Sequence, residues 1–148
     1  MTINNLDQLY ELLGQLGEKS VRKAARAGVA AGSTPISREA RSRANRESGA
    51  LKRSMGKRTK SYRSGVVVAT VGPRRGVSFE YQGERRTPAH YAHLVNNGHR
   101  NRDGSHTPGS HFMDDAFDAT SDEAERVAEA KIIEKLTSEA QRLGQKLR

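Results

Sequence analysis

The chain has 148 residues, of which 34% are hydrophobic, and a formal net charge of +9 without any cysteine or tryptophan. This length fits one domain with a small core, and the absence of cysteine excludes disulfides, thiolate metal ligands and cysteine nucleophiles. Neither a signal-peptide pattern nor a run of roughly 18 apolar residues is present, so we expect no secretion and no membrane insertion. The low apolar content favours subunits that share buried surface in an assembly.

The positive charge is concentrated in one half of the chain. Residues 21–76 contain 15 lysines and arginines against only Glu39 and Glu47, whereas the residues from Phe112 onward contain 9 acidic and 6 basic side chains. This polarity suits either nucleic-acid binding through the basic part or pairing of that part with acidic neighbours in a multi-subunit structure. A surface that is simply solvated is the third interpretation.

Helical periodicity opens the chain, over about residues 5–46. A capping pattern predicts a helix start near Leu6, and leucines recur from there at spacings of three and four. Farther along, a row of small residues would allow another backbone to approach closely: Ala24, Ala27, Gly28 and Ala31. Thr34 before Pro35 predicts an N-cap, so we expect a kink there and a shorter basic helix beyond it.

The next region is predicted as a pivot followed by a small sheet, over about residues 48–82. In the segment SGALKRSM, Leu51 and Met55 lie four residues apart after Gly49, which indicates a pivot before a strand. Both apolar side chains are candidate packing anchors.

Three strands are expected in that sheet. The lysine-rich residues 56–64 suit an edge strand that is protected by its charges. The β-branched residues 65–71 predict a central strand covered on both faces. After a turn at 72–76, residues 77–82 alternate apolar and polar side chains and predict a hairpin with one wet face.

A short helix and a displayed loop follow, over about residues 89–110. The helix presents Tyr91, Leu94 and Val95 on one face and ends at Gly98. The polar loop between this helix and the next one is expected to be exposed, with a chain break and a cap in the Pro-Gly-Ser segment at its end.

A long C-terminal helix is predicted over about residues 111–147. Its first apolar stripe consists of Phe112, Met113, Ala116 and Phe117. Of these, Phe112, Met113 and Phe117 are expected to lock the helix onto the sheet. An interruption is expected near Thr120, where a second capping pattern occurs. The later seam, expected to pack along either the first helix or another subunit, consists of Ile133, Leu136, Ala140, Leu143 and Leu147. We therefore predict an α+β fold in one domain over residues 1–148, with a small antiparallel β-sheet packed against helices.

The order of these segments resembles the tail-completion and head-tail joining family of tailed double-stranded-DNA bacteriophages, the minor tail protein Z-like group. The resemblance covers nearly the whole chain and rests on three short motifs, whose matching residues are Gly49, Leu51, Tyr91, Val95, Gly98, Phe112 and Ala116. Asn96 and Asn97 replace an acidic-aromatic pair that is usual in the family, and His111 stands where proline is usual.

The resemblance implies a non-enzymatic virion protein that forms a ring at the head-tail junction, in the tail or neck of the particle and in the host cytoplasm during assembly. The implied partners are other copies of the chain, in a hexamer or alternatively a dodecamer, and neighbouring head-closure or connector and tail-tube or terminator proteins. Non-specific contact with packaged double-stranded DNA is a further expectation, and a membrane partner is not expected. The residues expected to act as packing and assembly anchors are Leu51, Met55, Tyr91, Leu94, Val95, Gly98, Phe112, Met113, Ala116 and Phe117. The alternative function is a free-standing basic DNA-binding protein.

Few side chains offer catalytic or metal chemistry. His90 and His93 share a helical face, and His106 or His111 could join them to complete a metal site. Carboxylate ligands are scarce nearby, however, and no metal is expected. No phosphate-binding loop, no nucleophile beside a base and no carboxylate pair occurs with usable spacing. We therefore expect neither catalysis nor a cofactor.

Arginine pairs are the remaining candidate contacts. They lie at a predicted hairpin tip, in the next loop and in the displayed loop: Arg74, Arg75, Arg85, Arg86, Arg100 and Arg102. Guanidinium groups at such places suit either DNA phosphates or acidic protein neighbours. No helix-turn-helix pattern and no platform of stacking aromatics is present, so sequence-specific reading of DNA is not expected.

Overall fold

The computed structural model of the protein describes Gly14, residues 16–44 and residues 49–146, with side chains up to residue 143. The helices in this part of the chain are α1 (Glu18–Arg43), α2 (Ala50–Ser54), α3 (Pro88–Asn97) and α4 (Phe112–Lys146). The strands are β1 (Met55–Ser61), β2 (Val67–Pro73), β3 (Phe79–Tyr81), β4 (Glu84–Arg86), β5 (Gly98–Arg100) and β6 (His106–Pro108). They form three antiparallel pairs, β1–β2, β3–β4 and β5–β6, so the predicted α+β fold with a long C-terminal helix is confirmed.

The two longest helices, α1 and α4, pack against each other more extensively than any other two elements of the described residues. The predicted small-residue face of α1 makes this contact. A Cβ added to Gly28 would lie 2.8 Å from the carbonyl oxygen of Ala128, and one added to Gly32 would lie 2.6 Å from that of Ala124. Glycine therefore lets the two backbones approach more closely than a side chain would allow. Of the two partners that the sequence left open for the C-terminal seam, the structure places the intramolecular one, α1.

The seam of α4 differs from the prediction by one residue. Leu136 is buried with Leu16 and Ala24, and Ile132 packs against this cluster. Ile133 is 49% exposed, so its predicted place in the seam is wrong. The helical repeat explains the difference, because Ile132 lies four residues before Leu136 and shares its face.

Helix α1 is continuous where the sequence predicted a kink. It runs through Pro35, and the hydroxyl of Thr34 donates to the carbonyl of Ala30 at 3.4 Å instead of capping a new helix. Proline cannot donate to the carbonyl of Ala31, four residues back, while side-chain donors reach the neighbouring carbonyl of Ala30. Helix α1 begins at Glu18 after the N-cap Gly17, so the prediction of one helix from Leu6 through Ala31 is wrong, and Leu6 itself lies outside the described residues.

Helix α4 is also continuous, so the interruption predicted near Thr120 is wrong. The buried hydroxyl of Thr120 donates to the carbonyl of Ala116 at 2.7 Å, one turn back in the same helix. Threonine commonly makes this bond inside helices, and the capping pattern therefore does not start a new helix here. The last seam residue, Leu147, lies outside the part of the chain that the structure describes.

Strands β1 and β2 pair along their full lengths, with Arg58 opposite Thr70. The edge strand that the lysine-rich segment predicted is confirmed as β1. The predicted covering of the following strand on both faces is wrong, because Val68 is 42% exposed and Val66, just before the strand, is 54% exposed. Among the described elements, α1 covers one face of this pair and no second layer covers the other.

Strand β3 turns back onto β4 and does not pair with β2. The two turn residues, Gln82 and Gly83, have φ of 54° and 78°, as a tight two-residue hairpin requires. The hairpin predicted across residues 72–76 is therefore wrong. The two-residue turn between β3 and β4 is shorter than the predicted turn at residues 72–76, so closing it costs less chain entropy.

The main core lies where α1, α2, α3, β2 and the start of α4 meet. Its buried residues are Ala40, Ala44, Leu51, Met55, Ala92, Phe112 and Ala116. Gly49 precedes α2 in a left-handed conformation with φ of 64°, and α2 leads directly into β1. The predicted pivot before a strand is thus confirmed, and it brings Leu51 and Met55 into the core.

Candidate functional site

Most of the predicted anchors meet in the main core. The buried or partly buried ones are Leu51, Met55, Tyr91, Val95, Phe112, Met113 and Ala116. Phe117 is 54% exposed, so the prediction that it locks the last helix onto the sheet is wrong. Leu94 is 36% exposed and does not share the inner face with Tyr91 and Val95 as predicted, while its role in assembly stays a prediction. The inner face of α3 is centred on Ala92, which the sequence analysis missed, and Leu94 lies about 200° around the helix from it. The sequence offered one signal for this face, the four-residue spacing of the apolar residues Pro88 and Ala92. The structure buries both of them.

The end of α3 and the start of α4 are joined through the backbone. The N–H of Ser110 donates to the carbonyl of Val95 at 2.9 Å. Gly98 ends α3 as predicted, with φ of 79°, and a Cβ there would lie 2.6 Å from the nitrogen of Gly109. Only glycine combines this conformation with so close an approach. The segment between the two helices therefore leaves and re-enters the molecule at one point.

A side chain of α3 caps the start of α4. The predicted cap, Ser110, is wrong, because its hydroxyl donates to the carbonyl of Val95 at 3.0 Å. The N–H of Met113 is bonded by Asn96 instead, whose Oδ1 accepts it at 2.9 Å. One of the free N–H groups in the first turn of α4 is thus satisfied from the preceding helix.

The displayed loop is an ordered hairpin of β5 and β6, residues 98–108, which we call the hairpin. The N–H of Asn101 donates to the carbonyl of Ser105 at 2.8 Å and closes its turn. The carboxylate of Asp103 accepts the hydroxyl of Ser105 at 2.6 Å and its N–H at 2.9 Å, and these bonds hold the pKa of Asp103 below its usual value. Residues 102–108 are exposed. The predicted display of this segment is confirmed, and its order comes from hydrogen bonds within the turn.

The arginines at 85 and 86 lie in a strand, β4, and not in a loop as predicted. Arg85 is exposed. Arg86 is half-buried, with its guanidinium 5.1 Å from the centre of the Tyr81 ring and 3.7 Å from the carboxylate of Glu84. Of this pair, Arg85 is therefore the side chain free to reach a partner.

The other predicted arginines fall on two exposed segments. Arg100 donates to a backbone carbonyl of the hairpin turn at 3.4 Å, and Arg102 is exposed in that turn. Arg74 and Arg75 follow β2, with one nitrogen of Arg74 3.5 Å from the carbonyl of Arg53. They do not form a hairpin tip, because β2 and β3 do not pair. The structure therefore spreads the predicted arginines over separate surfaces.

A basic groove of about 450 Å³, which the sequence analysis missed, runs between α1 and β1. The cations that line it are Arg38, Arg41, Lys57 and Arg74, and no carboxylate does. Arg41 donates to the carbonyl of Met55 at 2.7 Å, and Arg38 lies 3.0 Å from Glu123. The charge excess of residues 21–76 was the available signal. It could not show which cations the packing of α1 on β1 brings together.

The histidines do not converge on a metal site in the described part of the chain. No group of three His, Cys, Asp or Glu side chains is placed there to hold a metal ion. Over the same residues, no helix has both the length and the apolar composition needed to cross a membrane.

Comparison with protein-family models gives a match over residues 7–98, more than half of the chain, to the family described as "Bacteriophage HK97-gp10, putative tail-component". Searches of the curated proteins and of the solved structures give no match. The matched segment contains α1 to α3 and ends at Gly98, where the hairpin begins. The matched segment includes five of the motif residues: Gly49, Leu51, Tyr91, Val95 and Gly98. The other two, Phe112 and Ala116, lie beyond it.

Proposed function

Because the chain belongs to the HK97-gp10-like family of bacteriophage tail components, we propose that it is a non-enzymatic structural protein of a tailed-phage virion. Copies of it form a ring at the head-tail junction, as a tail-completion or connector component, with six copies favoured over twelve. Its neighbours are head-closure or connector proteins on one side and tail-tube or terminator proteins on the other.

The observation that carries this proposal is the hairpin. It projects from the point where α3 meets α4, it is hydrogen-bonded within its own turn, and residues 102–108 are exposed. A projection that is already ordered loses little entropy when a partner binds it. Such a segment supports a permanent contact between subunits, since its exposed residues contribute nothing to the chain's own core.

Exposed apolar side chains support the same proposal. Leu94 and Phe117 lie on α3 and α4, the two helices that hold the hairpin, and both are more than a third exposed. Their burial between subunits would add apolar area to a protein whose own core consists mainly of small residues.

The second candidate, a free-standing DNA-binding protein, is favoured by the basic groove. A groove lined by four cations without a carboxylate attracts phosphates without reading sequence. Arg38 and Arg41 are already bonded within the chain, so fewer of its cations are available than the count suggests. We therefore rank this function second.

The test is to delete the coding sequence from a phage that carries it and to image the particles by electron microscopy. We expect DNA-filled heads and separate, complete tails, and we expect the chain supplied in trans to restore virions. Normal virions formed without the chain would refute the structural role.

A salt titration separates the second candidate. A free DNA-binding protein holds duplex DNA with an affinity that falls steeply as salt rises. Such binding by a monomer that is absent from purified virions would favour the second function over the first.

A further inference from the structure

The outer face of the β1–β2 pair is cationic and uncovered among the described elements. Side chains alternate between the two faces of a strand, so Arg58 and Lys60 share the face opposite the one that packs on α1. Their partners across the ladder, Thr70 and Val68, are exposed on the same side. Arg74 joins them, because its side chain lies across Gly56. We call this surface the cationic sheet face; its residues are Arg58, Lys60, Val68, Thr70, Arg74 and Arg75.

The cations of this face lack ionic partners within the described residues. Arg58 and Arg75 make no ion pair there, and Lys60 contacts only the ring of Tyr62, 4.6 Å from its centre. Val68 lies among these charges and is 42% exposed. The face therefore combines free positive charge with exposed apolar surface.

A surface of opposite character lies on the outer side of α4. Asp118, Asp122 and Glu125 are spaced by four and three residues, which places them on one helical face, and Phe117 adjoins them. All four side chains are exposed. The three carboxylates make no ion pair within the described part of the chain. We call these four residues the acidic stripe.

The two surfaces match in length as well as in charge. The acidic stripe spans the nine helical residues 117–125, whose eight steps of 1.5 Å make about 12 Å. The cationic sheet face runs over five residues of β1, from Gly56 beneath Arg74 to Lys60, whose four steps of 3.4 Å make about 14 Å. Each surface also carries an apolar side chain, Phe117 on one and Val68 on the other.

We propose that the acidic stripe of one copy of the chain docks on the cationic sheet face of the next copy. The two patches are different surfaces of the same protein, so the contact is head-to-tail, and repeating it around an axis closes a ring. This inference rests on the proposed function and names the contact that builds the ring. Duplex DNA is the less favoured occupant of the cationic sheet face, because phosphates offer nothing to Val68 and would leave the acidic stripe unpartnered.

Charge reversal on each surface tests the contact. One variant carries Arg58→Glu and Lys60→Glu, and the other carries Asp118→Lys and Asp122→Lys. Each variant alone places like charges across the contact, so we expect its oligomer to weaken by at least about tenfold in Kd. An equimolar mixture restores opposite charges at both kinds of contact, and we expect oligomers with even copy number to return. The measurement is mass photometry or sedimentation velocity of each variant and of the mixture.

Matched controls and second variants keep the result interpretable. Arg26→Glu and Glu80→Lys reverse exposed charges away from both surfaces and should assemble like the wild type. Circular dichroism and thermal melting report whether each variant folds. If a reversal prevents folding, the neutral changes to Gln and Asn at the same positions replace it, with a smaller weakening expected.

Three outcomes would overturn the contact: a monomeric wild type, reversal variants that assemble normally, or a mixture that fails to recover. Loss of salt-sensitive DNA binding in the Arg58→Glu, Lys60→Glu variant without any change in assembly would assign the face to DNA. Incorporation of the wild-type chain into virions is scored separately. If the wild-type chain enters virions as a ring but the mixture of variants fails to assemble, the proposed contact is wrong and the proposed function stands. If the chain is absent from virions, the proposed function is wrong.

Discussion

The Oδ1 of Asn96 lies 2.9 Å from the backbone nitrogen of Met113 and accepts its hydrogen bond, so the last turn of α3 caps the first turn of α4. The Nδ2 of Asn96 donates to Oδ1 of Asn97 at 2.7 Å and to Oδ2 of Asp114 at 2.9 Å. The amide thus uses its oxygen as an acceptor and its nitrogen as a donor to two oxygens, which only one orientation of the group permits. The junction that carries the hairpin is held by this side chain as well as by the backbone.

Replacing Asn96 with Ala removes the cap, and we expect it to lower the free energy of unfolding by about 1–2 kcal/mol, as measured by urea denaturation. Asn96→Asp keeps the acceptor but places a second carboxylate beside Asp114, so its stability should lie between those of the wild type and the Ala variant. Adding Asp114→Asn should then recover part of the loss. Asn97→Ala, which removes only an acceptor on an exposed side chain, serves as the control and should cost less than about 0.5 kcal/mol. A wild-type midpoint for Asn96→Ala would contradict the capping role.

This cap also gives a physical meaning to two departures from the family pattern. An acidic residue, which the resemblance makes usual at position 96, offers the same oxygen acceptor to the start of α4 that Asn96 offers here. His111, where proline is usual, has φ of 48°, a value that the proline ring cannot adopt. The chain therefore enters α4 by a backbone path that proline would not allow at this position.

Phe112 and Phe117 separate fold stability from assembly. Phe112 is 2% exposed in the main core, so Phe112→Ala should lower the free energy of unfolding by about 3–5 kcal/mol. Phe117 is 54% exposed, so Phe117→Ala should change it by less than about 0.5 kcal/mol. Thermal or chemical denaturation of the two purified variants measures this difference.

The Phe112→Ala and Phe117→Ala changes are then introduced into the phage genome. We expect Phe117→Ala to give full heads with unattached tails although the variant is folded, since Phe117 belongs to the acidic stripe. Ile133→Ala is the matched control, because Ile133 is similarly exposed on the same helix about 24 Å away, and it should give normal virions. Normal virions from Phe117→Ala would remove the assembly role of this side chain.

Local patterns in the sequence predicted the elements well and their partners poorly. Gly98 and the pivot at Gly49 were predictable, because a left-handed glycine acts within its own neighbourhood. The pairing of β3 with β4 was missed, because the alternating pattern of a strand does not specify its neighbour. Leu94 was expected to share a face with Tyr91 and Val95, and Phe117 to lock α4 onto the sheet, yet the helix faces are fixed by the smaller residues Ala92 and Ala116, which pack closer.

The basic surfaces show the same limit. The sequence located the positive charge in residues 21–76, and the structure gathers part of that charge on two adjoining surfaces, the basic groove and the cationic sheet face, which share Arg74. Lys57 points toward α1 and bonds the hydroxyl of Thr34, whereas its neighbour Arg58 points outward. This division depends on the face that β1 turns to α1, and the apolar content of a lysine-rich strand is too low to reveal that face.

The close packing of α1 on α4 predicts that alanine is too large at two glycines. Gly28→Ala would place a Cβ against Ile132 and 2.8 Å from the carbonyl of Ala128, and Gly32→Ala would place one 2.6 Å from the carbonyl of Ala124. Because backbone must move, we expect each change to destabilise the protein by about 1–3 kcal/mol before helix propensity is counted. The gain of up to about 1 kcal/mol from replacing glycine in a helix offsets only part of this.

Thermal melting of the purified variants checks both glycines. Gly72→Ala in β2 is the control, since a Cβ there would meet nothing within 4 Å. Melting temperatures at or above that of the wild type for both helical variants would show that α1 and α4 pack less closely than the structure indicates.

Acidification should loosen the hairpin turn through Asp103. The hydroxyl and N–H of Ser105 stabilise the charged carboxylate and hold its pKa below the ordinary value of 3.8. A group with a lowered pKa contributes its stabilisation above the unfolded value and loses it as the pH falls through the folded value. The turn should therefore stay intact at neutral pH and lose these bonds only below pH 3.8.

Ser105→Ala removes the hydroxyl bond, which is the larger cause of the lowered pKa, so it should move the pKa of Asp103 back toward 3.8, as followed by NMR of its carboxyl carbon. Thr107→Ala, which makes no bond to Asp103, should leave the titration unchanged, and equal midpoints in the wild type and Ser105→Ala would contradict the bonding described for this turn.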